Sequence, residues 1–170
     1  MIRSIFSVDQ RGAMGNRGTL PWPHDPEDLE WFREHTNGGI VVMGRRTWDD
    51  AKFPKPLPNR INVVFTSSPL TSTSSLVHKR SGDIVPQIKE LQTIWPNKDI
   101  WIIGGSELLM KTIDLCDEMY VAHRKGSYYA DTRLDINRYL SKTRITSSAP
   151  NSTRTINWCI YKNIDIFRPL

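Results

Sequence analysis

The sequence has only two cysteines, Cys116 and Cys159, far apart and with no Cys-x-x-Cys pair. That pattern excludes a disulfide framework and a cysteine zinc site, and two free thiols fit a reducing compartment. Long apolar runs are also missing. Gly39–Met43 and Ile100–Ile103 fall far short of the ~20 residues that span a bilayer, and the opening Met-Ile-Arg-Ser-Ile lacks a signal-peptide core. The expectation is a cytoplasmic protein with no membrane partner. The histidines His24, His35, His78 and His123 make no i, i+4 pair, so no metal is assigned. No Gly-x-Ser-x-Gly elbow supports nucleophilic hydrolysis, and the Gly-x-Gly-x-x-Gly dinucleotide fingerprint is absent. A net charge of +5 comes from scattered Lys and Arg rather than a basic run, which argues against an obligate nucleic-acid partner and for small polyanionic ligands.

What the chain does contain is enough apolar residue, 38% of 170, to enclose one core, so a single domain over 1–170 is expected. Ile2–Val8 reads as a first strand. The Gly-punctuated stretch Asp9–His24 is too long for a tight turn, and loops of that length are usually functional. Asp25-Pro26-Glu27-Asp28 supplies an N-cap, a proline at the first helical position and early acids for a helix from Pro26 to about His35. Gly39–Met43, Ile61–Phe65 and Ile100–Ile103 read as strands, with helical turns at Arg45–Asp50, a helix from Asp83 to about Trp95 and another over Ser106–Ile113. Met119–His123, Thr143–Ser147 and Ile156–Phe167 read as strands without crossover helices, hence antiparallel. The sum is an α/β protein with a mostly parallel central sheet, an antiparallel C-terminal edge and flanking helices.

Three constellations can carry chemistry. Gly104-Gly105-Ser106 follows an apolar strand and opens a helix, where bare backbone N–H groups can receive a pyrophosphate; an ordinary tight turn is the competing reading. Gly44-Arg45-Arg46-Thr47 repeats the arrangement with a guanidinium fork and a hydroxyl, against a solvated basic turn. With Ser67, Ser68, Lys79 and Arg80 near later strand ends, the two suggest one extended polyphosphate ligand. Asp28 sits one turn into a helix among Trp22, Leu29, Trp31 and Phe32, so its carboxylate either faces an enclosed pocket or complements the helix dipole.

Leu20-Pro21-Trp22 followed by Asp28-Leu29 and Phe32 resembles the substrate-side signature of dihydrofolate reductases. Val42-Met43-Gly44-Arg45-Arg46-Thr47-Trp48, Leu57-Pro58-Asn59-Arg60, Val63–Ser67, Ile102-Ile103-Gly104-Gly105-Ser106 and Met119-Tyr120-Val121-Ala122-His123 follow in family order, and the likeness covers roughly Met1 to Asp135. The resemblance implies NADPH-dependent reduction of 7,8-dihydrofolate, with hydride passing to pterin C6 while N5 gains a proton through water organised by Asp28. It implies Asp28 and Trp22 as the catalytic pair, with substrate contacts from Ile5, Asp28, Leu29, Phe32, Leu57 and Arg60, the last pairing with a glutamate carboxylate. Cofactor positions carried over are Ser7, Gly15 and Leu20, then Gly44, Arg45, Arg46 and Thr47. Thr66, Ser67, Ser68 and Lys79 follow, Lys79 interchangeable with His78 or Arg80, and Ile103, Gly104, Gly105, Ser106, Glu107 and Leu108 complete the set. The resemblance further implies a cis Gly104-Gly105 bond, a mobile loop over Asp9–His24 and antifolate-type inhibitors; a monomer is expected because no long apolar helix face or exposed strand repeat advertises an interface.

Three departures stand out. Ala122 replaces a threonine that commonly bonds the family's carboxylate, so Asp28 is expected to be held less firmly or to rely on an extra water, and the pH profile to change. Glu107 and Leu109 stand where basic or small and aromatic residues are frequent, which predicts weaker cofactor binding. The alternatives are a pyrimidine reductase of the riboflavin-synthesis type, opposed by the Leu-Pro-Trp to Asp28 unit, and a non-catalytic relative that binds nucleic acid, testable by salt titration.

Overall fold

The computed structural model describes residues 1–164. Its centre is an eight-stranded sheet. Strands β1 (Ile2–Val8), β3 (Ile40–Gly44), β4 (Ile61–Phe65) and β6 (Ile100–Gly104) are rich in Ile and Val, as strands largely buried on both faces are, although Arg3, Ser4 and Ser7 interrupt β1 and Asn62 interrupts β4. They join β5 (Val77–Arg80), β7 (Glu118–Arg124), β9 (Thr143–Pro150) and β10 (Ile156–Asn163) in the order β5-β4-β3-β6-β1-β7-β10-β9. A separate two-stranded ribbon pairs β2 (Ala13–Gly15) with β8 (Thr132–Arg133).

The antiparallel part is smaller than the sequence suggests. β7 runs parallel to β1, with Ser7 opposite Ala122, and in this sheet only β10 runs against the others, antiparallel to β7 on one side and to β9 on the other. The chain crosses back to β7 through α4 (Ser106–Lys111) and a 3-10 turn at Ile113–Leu115, shorter than the helix expected over 106–113. The predicted strand over 156–167 is a strand to Asn163, and its last three residues lie outside the described chain. β5 and β8 carry no apolar alternation and are not legible as strands.

Helix α1 (Pro26–Thr36) starts where the sequence places it: the Asp25 side chain accepts from the Asp28 N–H at 3.3 Å, and Pro26 occupies the first helical position. Short α2 (Arg45–Trp48) follows β3, α3 (Ile84–Ile94) leads into β6, and α5 (Ile136–Tyr139) precedes β9. The sheet separates two apolar clusters, one around Val42, Ile88, Ile102 and Tyr139, the other around Ile5, Val41, Met43 and Trp48. Leu109 is fully buried in the first cluster. Among the described residues no helix is long and apolar enough to cross a membrane.

Candidate active site

The carboxyl ends of β1, β3 and β6 open into one cleft of about 1200 Å³, closed on the other side by the 9–24 segment and α1. Cleft placement at strand ends follows from the parallel sheet, where backbone leaves the strands in the same direction. Ile5, Ser7, Trp22, Asp28, Leu29, Phe32, Leu57 and Arg60 all line it, as do Gly15 and Leu20. Gly44 through Thr47 and Ile103 through Leu108 line it side by side, at the ends of the paired strands β3 and β6.

Asp28 projects from the first turn of α1 and is buried. Its Oδ2 accepts from the Ser7 hydroxyl and its Oδ1 from the Trp158 indole N–H, each at 2.9 Å. Burial pushes its carboxyl above the usual range, the two donors and the Arg124 charge oppose that, and the neighbouring Asp25 charge reinforces it. In place of the threonine hydroxyl, the residues paired with Ala122 on either side, Ser7 in β1 and Trp158 in β10, both supply donors. Ser7, expected on the cofactor side, lines the cleft and turns its hydroxyl to the carboxylate.

Trp22 is buried beneath Arg124, whose guanidinium lies 5.3 Å from the ring centroid and bonds Asp25 Oδ2 at 2.8 Å. Tyr128 meets the same indole edge-on at 5.7 Å. Arg60 is buried with a carbonyl and a hydroxyl as partners, Pro58 O at 2.9 Å and Thr36 Oγ1 at 3.0 Å. Burial and then the Arg33 charge lower its pKa, so an incoming carboxylate is the counter-charge this guanidinium suits.

On the opposite wall the Gly104-Gly105 peptide is cis. A Cβ built on Gly105 meets nothing within 4 Å, and one on Gly104 comes 3.7 Å from Thr47 Oγ1, so bare backbone faces the cleft. Neither Gly44 nor Gly105 caps its helix with a side chain, which leaves amide donors at both helix starts. This cradle and donor set fit a dinucleotide pyrophosphate. Arg45 is engaged with Asp49 at 3.0 Å and with Pro69 O at 3.1 Å, while Arg46 is exposed. Glu107 is paired with Lys111 at 2.9 Å, which holds its carboxyl below the usual range. Leu108 reaches the cleft, but Leu109 belongs to the core and has no place beside a ligand.

Thr66, Ser67, Ser68 and Lys79 stand outside the cleft lining, grouped at the ends of β4 and β5. Exposed Lys79 places its Nζ 3.5 Å from Ser67 O. Arg80 is bound to Glu90 at 3.2 Å and His78 packs edge-on against Trp95 at 5.3 Å, which leaves Lys79 as the cation beside Ser67.

Sequence reasoning missed Trp158, Arg124 and the cleft-lining Arg33. Trp158 lies 130 positions from Asp28, and no local pattern signals that pairing. Among the described residues no group of three or more His, Cys, Asp or Glu side chains is arranged to hold a metal.

Fold and cleft together define a class: an α/β protein built on one sheet, with a buried carboxylate and a glycine-lined anion cradle facing each other across a single cleft. The family is settled by similarity, for the dihydrofolate reductase model matches residues 1–162, and the chain belongs to that family. It is 28% identical over 164 residues to dihydrofolate reductase type 9 of Escherichia coli, covering 95% of this chain and 90% of that one. It is 32% identical over 132 residues to the Bacillus subtilis dihydrofolate reductase, 77% of this chain and 73% of that one. A solved dihydrofolate reductase from Enterococcus faecalis, complexed with NADP(H) and RAB-propyl, superposes with a TM-score of 0.78 at 26% identity, covering 97% of both chains.

Proposed function

We propose that the cleft reduces 7,8-dihydrofolate to tetrahydrofolate with NADPH, and that Asp28 is the group that grips the pterin. The observation that carries the reading is a buried, polar-anchored carboxylate across one cleft from a bare glycine cradle. Bound NADPH supplies the hydride. Asp28 offers two oxygens to the paired donors of the pterin, the 2-amino group and a ring N–H, and a buried anion favours such a fork. Its charge also orders the water that passes a proton towards N5, with Trp22 as the wall of that water site. Ile5, Leu29, Phe32 and Leu57 supply apolar contact to the flat ring, and Arg60 binds the carboxylate of the substrate's glutamate tail.

Gly104, Gly105 and Ser106 with Thr47 receive the pyrophosphate, Ile103 and Leu108 flank it, and Gly15 and Leu20 cover the nicotinamide end. Lys79, Ser67, Ser68, Thr66 and the Arg45–Arg46 pair are assigned to the far phosphate, the group that separates NADPH from NADH. Antifolate-type molecules compete for Asp28 in the same way as the pterin. One chain provides every residue of this site, and the monomer is taken as the working unit. The test is NADPH absorbance decay with dihydrofolate for the wild type and Asp28→Asn. Turnover at neutral pH should fall by roughly 10²–10⁴-fold in the variant. Wild-type turnover in Asp28→Asn would remove Asp28 from the chemistry.

A further inference from the structure

Ser7, Ala122 and Trp158 stand side by side across three strands, since Ala122 is the register partner of both others. Residues paired in this way present their side chains on one face of the sheet. The small methyl of Ala122, itself buried, leaves the space between its neighbours open. Into that space comes the carboxylate of Asp28, which takes the Ser7 hydroxyl on Oδ2 and the Trp158 indole N–H on Oδ1. Trp158 is fixed from behind as well, because its ring stacks on Trp31 at 5.7 Å with planes 13° apart. Trp31 is three positions after Asp28 on the same helix, so the helix that carries the acceptor also holds the donor.

We propose that Ser7 and Trp158 are positioning residues of this reductase, two donors that together orient the Asp28 carboxylate and keep it ionised while leaving it free to grip the pterin. The inference rests on the reading of Asp28 as the pterin-binding group. An ionised carboxylate has about four lone-pair sites. Ser7 takes one on one oxygen and Trp158 one on the other, which leaves one site per oxygen for an incoming pair of donors. The arrangement divides the anion evenly between protein and ligand, and both partners can bind at once.

The other groups facing Asp28 have nearly cancelling charges. Asp25, on the same helix start, opposes its ionisation, and Arg124 of β7 favours it, but these two are bonded to each other at 2.8 Å. Glu27 is turned away onto Ser152 of the β9–β10 hairpin. From β1 and β10, then, Ser7 and Trp158 are the groups left to set the state of the carboxylate.

The experiment compares kcat/KM against pH for the wild type, Ser7→Ala, Ser7→Thr, Trp158→Phe and Asp28→Asn, with the indole resonances followed by ¹⁵N NMR over the same pH range. Ser7→Ala and Trp158→Phe should each move the apparent pKa of the profile upward by about one pH unit, the scale of one hydrogen bond to a charged group, and raise KM for dihydrofolate more than they lower kcat. Ser7→Thr keeps the hydroxyl and should restore the wild-type profile. The Trp158 indole resonance should titrate with Asp28 in the wild type and stay fixed in Asp28→Asn. Folded Ser7→Ala and Trp158→Phe enzymes with the wild-type profile overturn the proposal. If Trp158→Phe fails to fold, an indole resonance that does not titrate in the wild type overturns it equally. Asp28→Asn that keeps full activity at neutral pH instead overturns the reading of Asp28 itself, whatever the indole does.

Discussion

Two buried carboxylates in this chain meet opposite fates, and counting donors explains why. Burial works against both charges. Asp9 nevertheless receives three backbone N–H groups, from Ala13, Tyr128 and Arg11 at 2.8–2.9 Å, and with the Arg133 charge its pKa ends below the usual range. Asp28 receives two side-chain donors, and its pKa ends above. A lowered carboxyl adds stability above its unfolded pKa and loses it as pH falls through the folded one. For Asp28 the sign reverses: the folded state holds the proton more tightly, so stability is greatest below the unfolded pKa and drops as pH rises through the folded pKa. Above the folded pKa that penalty is fully present. Asp28→Asn keeps an acceptor and a donor for Trp158 and Ser7 but removes the charge, and it should raise Tm at pH 7 by roughly 2–6 °C while losing activity. A scanning-calorimetry Tm that falls instead would mean the carboxylate is a net stabiliser.

At the level of elements, the segment between β1 and α1 is built around a backbone that tolerates no side chain at one point. Gly12 has φ of +81°, and a Cβ there would come 2.1 Å from the carbonyl oxygen of Leu134, beside the β2–β8 ribbon. Gly12→Ala should cost roughly 3 kcal/mol or more, measured by urea unfolding, because both the dihedral and the contact must give way. A loss under 1 kcal/mol would show that the ribbon simply shifts aside. Which elements were legible in the sequence follows the same local logic. The N-terminus of α1 was readable from Asp25-Pro26, and β3 and β6 from their apolar runs Ile40–Met43 and Ile100–Ile103, since propensity and period act within a few residues. The orientation of β7 and the partners of Asp28 were not readable: both depend on which strand lies next to which, and Ser7, Ala122 and Trp158 come together only through the strand order. The family motifs located the cleft, yet they pointed to Ala122 as a loss and gave no sign of the donors beside it.

The molecule as a whole carries a charge of +5 and assembles its site from β1, β3, β6, β7, β10 and α1 on one sheet. NADPH binds only the folded form, so it should raise the unfolding free energy by about 2.7 kcal/mol when present at a hundred times its Kd. Thermal shift with NADPH and NADH at equal concentration should favour NADPH, and Lys79→Ala should narrow that gap. Equal shifts for both nucleotides would remove the phosphate assignment at the β4 and β5 ends. The anchoring of α1 has one more consequence. Ser7 precedes it in the chain, but its other donors reach it from Arg124, Ser152 and Trp158, so the helix is made early and for the most part secured late. During synthesis on the ribosome the pterin-gripping carboxylate exists long before its second donor, Trp158, and a nascent chain halted before β10 emerges would carry most of the cofactor cradle beside an unfinished substrate half.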